Sequence, residues 1–301
     1  MKLQLTFLGT AASTPTAEQN LSAVSLGFEG KQLLFDCPEG TQRQMMKAGL
    51  SFLKVDAIFL SHFHGDHFLG IPGLLATNAM HQRFDTLTII GPKGIARKIE
   101  QAVRLANIGI PFPIEFVECK NGIVFDSEKF QVRAFPLKHK TECWGFLFEE
   151  KVPAGKFLRA KAEALKIPEG PLWGKLQEGK SVKFEGKIFK PEQVLDFEKG
   201  RKARKIAIVC DTLPIPSIAK AVEGCDVLVH EATFLDEMKE RAKLTFHSTA
   251  KQAAEQAAKA GVEKLLLFHY SQRQLREDVE REAKKAFSNS HCVKELEKVD
   301  V

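Results

Sequence analysis

Residues 60–70, "LSHFHGDHFLG", set three histidines and an aspartate within six positions, 62 to 67, directly after an apolar run. Imidazole nitrogen and carboxylate oxygen are donors that zinc prefers, and a catalytic zinc keeps one coordination position open for water. His62 and His64 lie two apart, so the end of an extended strand aims both the same way. Gly65 lets the backbone turn back, so Asp66 and His67 can face a second ion. One turn thus offers two ligands to each of two metals. Further donors stand where strands end: His139 closes "VRAFPLKH", Asp211 closes "IAIVCD" and His269 closes "KLLLFH". Loops at such ends bring distant residues together. A lone histidine there is more often a hydrogen-bonded core residue, but beside the turn at 62–67 the three read as ligands. Asp211, with two carboxylate oxygens, is the natural shared ligand between two cations. His81 and His291 fall into no such pattern.

The elements that must position these residues follow from the apolar patterning. "LQLTFLG" is a strand, and "AVSLGFEGKQLLFDC" a hairpin turning at Glu29-Gly30. "VDAIFLSH" is a buried strand entering the histidine turn, and "LTIIGP" another that leads into the helix "KGIARKIEQAVRLAN". "KFQVRAFPLKH" and "CWGFLFEE" flank the loop at His139. "KIAIVCD", "CDVLVHEAT" and "VEKLLLFHY" then alternate with helices, the last from about Gln274. Hairpins first and strand–helix alternation later indicate an α/β fold of sheets with helices packed outside. No period of 20–50 residues marks a repeat protein.

Composition bounds the rest. The 301 residues are 44% hydrophobic and 27% charged, as in a folded domain with a substantial core. No apolar stretch reaches the roughly 20 residues of a membrane span, and "MKLQLTFLG" has no cationic leader, so a cytoplasmic protein is expected. The six cysteines have no CxxC spacing and read as reduced thiols. Between Lys151 and Lys205 stand 15 Lys or Arg against 7 Asp or Glu, a net +8. The whole chain carries +6, so the remainder is near −2. A polyanionic partner fits that segment, although a solvated lysine-rich surface has the same composition. Its six Gly and four Pro mark an insertion of about 151–203 within a single 1–301 domain, with a short helix in "KFLRAKAEAL" and turns at Pro168 and Gly170-Pro171. Phe157, Leu158, Leu165, Leu172, Trp173 and Leu176 suffice for a small folded lobe rather than a linker.

"SHFHGDH" resembles the metal-binding signature of the metallo-β-lactamase superfamily, which names a chemistry and no substrate. "FDCPEGTQRQ" (35–44), "HEATF" (230–234), "HST" (247–249), "FHYSQR" (268–273) and the lobe "IPEGPLWGKLQEGKSV" narrow the resemblance to the ribonuclease Z family. It runs from Phe7 to about Arg273. It implies a four-layer αββα sandwich with an inserted basic arm, and removal of 3′ trailers from precursor tRNA by two zinc ions per subunit, with manganese or iron(II) as substitutes. His62, His64 and His139 would hold one ion and Asp66, His67 and His269 the other, with Asp211 bridging and Asp36 orienting the metal loop. The arm would grip tRNA, with Gly170, Pro171, Gly174 and Lys175 among its contacts, in a homodimer with no membrane association.

Phosphodiester hydrolysis then needs a nucleophile, charge neutralisation and a proton for the leaving oxygen. A hydroxide bridging the two metals would attack, leaving a 3′-hydroxyl on the tRNA and a 5′-phosphate on the trailer. Asp66 would both ligate and take the water's proton. His247 is the candidate acid, kept charged by Glu231, although "HST" also reads as a helix cap. Ser271 and Arg273 are candidate phosphate contacts, a plain surface turn being the other reading, and His230 has a structural role nearby. One departure stands out. Where the family carries a P-x-K-x-R-N loop sensing the acceptor end, this chain has "PTAEQN", with Ala17 and Gln19 at the cationic positions. Weaker discrimination against CCA-ended tRNA is expected. Two rivals remain open here: another hydrolase of the same fold acting on small esters, and an RNA-binding protein with structural metals.

Overall fold

The structure, a computed structural model, describes residues 2–151, 155–197 and 202–301. It opens with β1 (Leu3–Gly9), β2 (Ala23–Phe28) and β3 (Lys31–Phe35), an antiparallel set. Glu29 and Gly30, at φ 52° and 78°, make the turn between β2 and β3, the left-handed pair that a tight hairpin requires. After α1 (Thr41–Lys47), β4 (Val55–Phe59) pairs parallel to β3 and enters the histidine turn. That turn leads into α2 (Gly65–Phe68) and α3 (Gly70–Met80). β5 (Leu87–Gly91), α4 (Ile95–Leu105) and β6 (Ile114–Glu118) complete this half.

β7 (Gly122–Asp126), β8 (Phe130–Pro136) and β9 (Trp144–Glu150) begin a second sheet. Beyond the insertion it continues through β14 (Lys205–Val209), α7 (Pro216–Ala221), β15 (Val227–Glu231), α8 (Lys239–Thr245), α9 (Ala250–Ala260), β16 (Lys264–Phe268), α10 (Arg276–Ala286) and β17 (Ser290–Cys292). β14, β15 and β16 run parallel in sequence order. β18 (Lys298–Asp300) returns to pair with β1, so the orders are β18-β1-β2-β3-β4-β5-β6 and β17-β16-β15-β14-β9-β8-β7.

Strand alternation sorts the side chains into layers. Leu34, Ile58 and Ile89 face outward onto Met45, Ile71, Leu75 and Ile99 of the first helical layer. Val209, Leu228, Leu265 and Leu267 face Ile218, Ala253, Ala257 and Val279 of the second. α9 presents alanine at 250, 253, 254, 257 and 260, so it lies close on its sheet. Between the sheets, phenylalanine rings interlock: Phe28 meets Phe148 edge-on at 5.5 Å, and Phe35 and Phe59 each touch Phe146. Strands covered on both faces explain the unbroken apolar runs that precede each candidate ligand.

Residues Ser127–Gln131 and Glu149–Arg204 form a second unit with its own core. Lys156–Phe157 (β10) pairs with Leu195–Asp196 (β13), taking two residues that the sequence reading gave to a helix. The helix in that region is α5 (Arg159–Ala164). Gly170, at φ 132°, precedes Pro171 at the first position of α6 (Pro171–Gln177). Val182–Phe184 (β11) and Lys187–Phe189 (β12) make a hairpin. Trp173 and Leu176 pack on Ala162, Ile167, Val182, Phe189 and Val194, and the Trp173 indole N–H donates to the Ile167 carbonyl at 2.9 Å. Gly170, Pro171, Gly174 and Lys175 are left exposed. Val152–Ala154 and Glu198–Arg201, within the expected insertion, lie outside the described residues.

Candidate metal centre

Six strand ends deliver the chemistry to one edge of the two sheets. Asp36 follows β3, Ser61 and His62 follow β4, His139 follows β8, Asp211 follows β14, Glu231 ends β15 and His269 follows β16. Carboxyl ends of parallel strands are where open α/β sheets place ligands. Asp36 and His269 both hold left-handed backbone, at φ 58° and 53°. For residues other than glycine that is a costly conformation, kept where surrounding structure enforces it at functional sites.

The donors converge. His62 Nε2 lies 3.0 Å from His64 Nδ1, which lies 3.2 Å from His139 Nε2. Asp211 Oδ2 stands 3.7 Å from His62 Nε2 and 3.8 Å from His139 Nε2. On the other side, His67 Nε2 is 3.6 Å from both Asp66 Oδ2 and Asp211 Oδ2, and His269 Nε2 is 3.2 Å from Asp211 Oδ1. Ligands about 2.0–2.1 Å from a tetrahedral zinc sit roughly 3.3 Å from one another, so both clusters have the dimensions of a metal's donor shell. His67 Nε2, His269 Nε2 and Asp211 Oδ1 are buried with no hydrogen-bond partner. Buried polar atoms left so are costly, and a cation would satisfy all three. The donor set fits divalent metal.

Each ring is fixed from behind. His67 Nδ1 bonds Asp36 Oδ2 at 2.8 Å, His139 Nδ1 bonds the Phe246 carbonyl at 2.9 Å, and His269 Nδ1 bonds Thr233 Oγ1 at 3.0 Å. Ser61 Oγ lies 2.9 Å from His62 Nδ1 and donates to Asp36 Oδ2 at 2.9 Å. Asp36 also accepts the Ser61 N–H at 2.7 Å and the Cys210 thiol at 3.2 Å. Such partners turn each Nε2 toward the metal space.

Burial above all holds His62, His139 and His269 below their ordinary values, in the neutral form that ligates. For His67 burial acts the same way, but Asp211 and Asp36 outweigh it and hold the ring well above. Burial alone would raise Asp211, yet His269, His67 and His247 keep it well below the carboxylate range.

His247 stands at the rim with Nε2 3.9 Å from Asp211 Oδ2. Its Nδ1 bonds Glu231 Oε1 at 3.1 Å. Glu231 is saturated: Oε1 also accepts the N–H groups of Thr212 and Ser248, and Oε2 accepts the Thr233 N–H and hydroxyl. Burial disfavours the imidazolium, but Glu231 and Asp211 prevail and raise His247 to about 9. In "HST" it is Thr249 that caps α9, so the histidine and the cap are separate residues. Beside His247 lies a cleft of about 300 Å³ lined in part by Ser13, Thr14, Phe234, Arg241, Ser271 and Arg273. His230 is buried beneath, with Nδ1 on the Glu231 carbonyl at 2.7 Å.

Sequence reasoning passed over Ser61, Cys210 and Thr233. Thr233 is the hub of the second group: its hydroxyl donates to Glu231 Oε2 at 2.6 Å and so accepts from His269 Nδ1. A threonine two residues after a glutamate carries no chemical signal until strand ends bring it against two histidines.

A ribonuclease Z of Nitrosopumilus maritimus is 42% identical to this chain over 301 residues, covering 99% of it and 100% of the relative. The chain belongs to the ribonuclease Z family. The crystal structure of human tRNase Z, short form, is 27% identical, with a TM-score of 0.70 over 98% of each chain. The metallo-β-lactamase fold protein YhfI from Bacillus subtilis superposes with a TM-score of 0.72 over all of both chains at 18% identity, so ribonuclease Z membership here goes with a metallo-β-lactamase fold. A family model described as Anti-Pycsar protein Apyc1 also matches residues 3–154.

Proposed function

We propose that this protein is a metal-dependent endoribonuclease that removes 3′ trailers from precursor tRNA. The observation that carries the reading is the set of buried, unpartnered polar atoms (His67 Nε2, His269 Nε2 and Asp211 Oδ1) in a chain of this family. His62, His64 and His139 would hold one ion and Asp66, His67 and His269 a second, with Asp211 shared. Zinc suits these donors best, and manganese or iron(II) accept them as well. When bound, the ions would supply an activated water and neutralise the phosphate.

The chain's own residues do the rest. Asp66, partly exposed at the rim of the second cluster, takes the proton of the attacking water. His247, charged at neutral pH because Glu231 holds its Nδ1, gives the Nε2 proton to the departing ribose 3′-oxygen. The tRNA keeps a 3′-hydroxyl and the trailer a 5′-phosphate. Ser271 and Arg273 contact phosphate. The basic segment at 151–203 grips tRNA through phosphate charge and helical shape, with Gly170, Pro171, Gly174 and Lys175 exposed on it, giving salt-sensitive affinity. The working unit is a homodimer in the cytoplasm, a reading that a monomeric mass in solution removes.

The test is incubation of the purified protein with an end-labelled, trailer-bearing precursor, with and without chelator. Chelator-sensitive cutting at the acceptor end, leaving a 3′-hydroxyl, is expected. A hydrolase of small phosphodiesters is the second reading, because the same donor set suits any phosphodiester. No tRNA cutting under several added metals, with small-diester hydrolysis intact, establishes it instead. Deleting 151–200 separates the two further: loss of tRNA cleavage alone supports the first.

A further inference from the structure

The outer face of the first sheet changes character away from the metal centre. Ala23 of β2 and Leu34 of β3 are buried there in the apolar core under the helices. On the same face, alternation next brings up Ser25 and then Gly27 on β2, and Gln32 on β3. Gly27 stands opposite Gln4 of β1 and Gln32 of β3, and Thr6 stands opposite Ser25. A cleft of about 440 Å³ opens over these residues, bounded also by Leu50 and Lys54 from the segment between α1 and β4. Gln32 lies four residues before Asp36, roughly 13 Å along an extended strand. The cleft and the metal centre are thus separate places.

Three features point to a ligand. A Cβ added at Gly27 would meet only the Gln4 carbonyl oxygen, at 3.9 Å, and the backbone there is not left-handed. Neither packing nor conformation requires glycine, which weakens a strand interior and there often marks the close approach of a ligand. Gln32 is 9% exposed, and its amide nitrogen is buried with no hydrogen-bond partner. The lining also sets Lys2, Lys31 and Lys54 against one acid, Glu29. Asp56 holds Lys31 at 2.7 Å and the Gln32 N–H at 2.8 Å. Asp300 accepts the Gln4 amide at 2.7 Å and stands 3.8 Å from Lys2. Lys54 forms no ion pair among the described residues. We propose that this cleft binds a small phosphate anion, free or carried by a mononucleotide, over Gly27 and beside Gln32, Lys2 and Lys54. A carboxylate brings one charge and two oxygens. A phosphate monoester brings nearly two charges and three acceptor oxygens, a better match to several ammonium, hydroxyl and amide donors. The volume falls within the range of small-ligand sites, about 300–1,000 Å³, so it has room for more than the bare ion.

The experiment is a site-resolved titration. Full-length, nitrogen-15-labelled protein, loaded with zinc and freed of excess metal, receives inorganic phosphate or adenosine 5′-monophosphate, with sodium chloride at equal ionic strength as the blank. Saturable shifts of the Gly30 and Lys31 amide signals are expected. Gly27→Val places a side chain in the cleft, and Lys54→Ala removes the ammonium that has no carboxylate partner. Each should weaken the affinity read at Gly30 and Lys31 roughly tenfold or more, and melting temperatures check that both variants fold. Similar affinities for the two ligands assign the phosphate group alone. A monophosphate bound roughly tenfold tighter assigns the mononucleotide. Shifts confined to the histidine turn, at Gly65 and His67, would seat the anion at the metals and overturn the proposal. So would shifts that chloride reproduces, or an affinity at Gly30 and Lys31 that either variant leaves unchanged.

Discussion

Asp36 shows how much of the centre depends on one residue that touches no metal space. Its two oxygens accept from Ser61 and Cys210 and hold His67 Nδ1, and its backbone at φ 58° turns the carboxylate inward. Asp36→Asn retains the shape but puts an amide N–H among groups that donate. Zinc affinity, measured by competition with a chelating dye, should fall roughly 10- to 100-fold. Unchanged affinity would reduce Asp36 to a turn residue. Glu231→Gln tests the other group. His247 loses the charge that raises it to about 9, so kcat for precursor cleavage should drop on the order of 100-fold with KM little altered. A drop confined to KM would assign Glu231 to folding of the rim.

At the scale of elements, close approach and loop anchoring decide the outcome. The N–H of Gly70 donates to the Cys37 carbonyl at 2.9 Å, seating the start of α3 on the segment after Asp36. A Cβ on Gly70 would lie 1.8 Å from the Pro38 carbonyl oxygen. Gly70→Ala must push backbone from backbone, and the urea midpoint should report a loss of roughly 3 kcal/mol or more. Near-native stability would mean that α3 shifts freely. The loop Pro15–Asn20 behaves differently. Gln19 donates its amide to the Tyr270 hydroxyl at 2.8 Å, and the Asn20 N–H bonds Glu295 at 2.9 Å. With Ala17 and Gln19 uncharged, discrimination against CCA-ended precursors should be weaker than in relatives with the full P-x-K-x-R-N loop. Discrimination as sharp as in those relatives refutes that expectation.

For the molecule as a whole, pH acts also through groups away from the centre. Burial lifts Glu295 from 4.5 to about 7, since its donors, the N–H of Asn20 and the Gln44 amide, do not offset desolvation. A carboxyl with a raised folded value favours the native state fully below pH 4.5, and that contribution is lost as pH rises through 7. Glu280 has the opposite sign. Burial opposes its charge, but Lys284, the Cys292 N–H and His291 prevail and lower it to about 2, so its contribution is lost as pH falls from 4.5 toward 2. From pH 5 to 8 the melting temperature of metal-free Glu295→Gln should fall less, or rise more, than that of metal-free wild type. An identical slope in that variant would move the effect elsewhere.

The histidine turn, the strand-end donors and the alternation of strands with helices were legible in the chain because period-two and unbroken apolar patterns are local, as are short-range ligand spacings. Family membership was legible too, since its motifs lie within single segments. α1 and α3 were not, because neither has a strong apolar stripe and both are held by packing on the first sheet. Nor was the pairing of Lys156–Phe157 with Leu195–Asp196, a contact across about forty residues. Thr233, Ser61 and Cys210 gained meaning only when separate strand ends met. Residue types and spacings along one strand are properties of the chain. Which hydroxyl faces which imidazole, and which cleft opens beside His247, depend on distances between segments that only the folded sheets set.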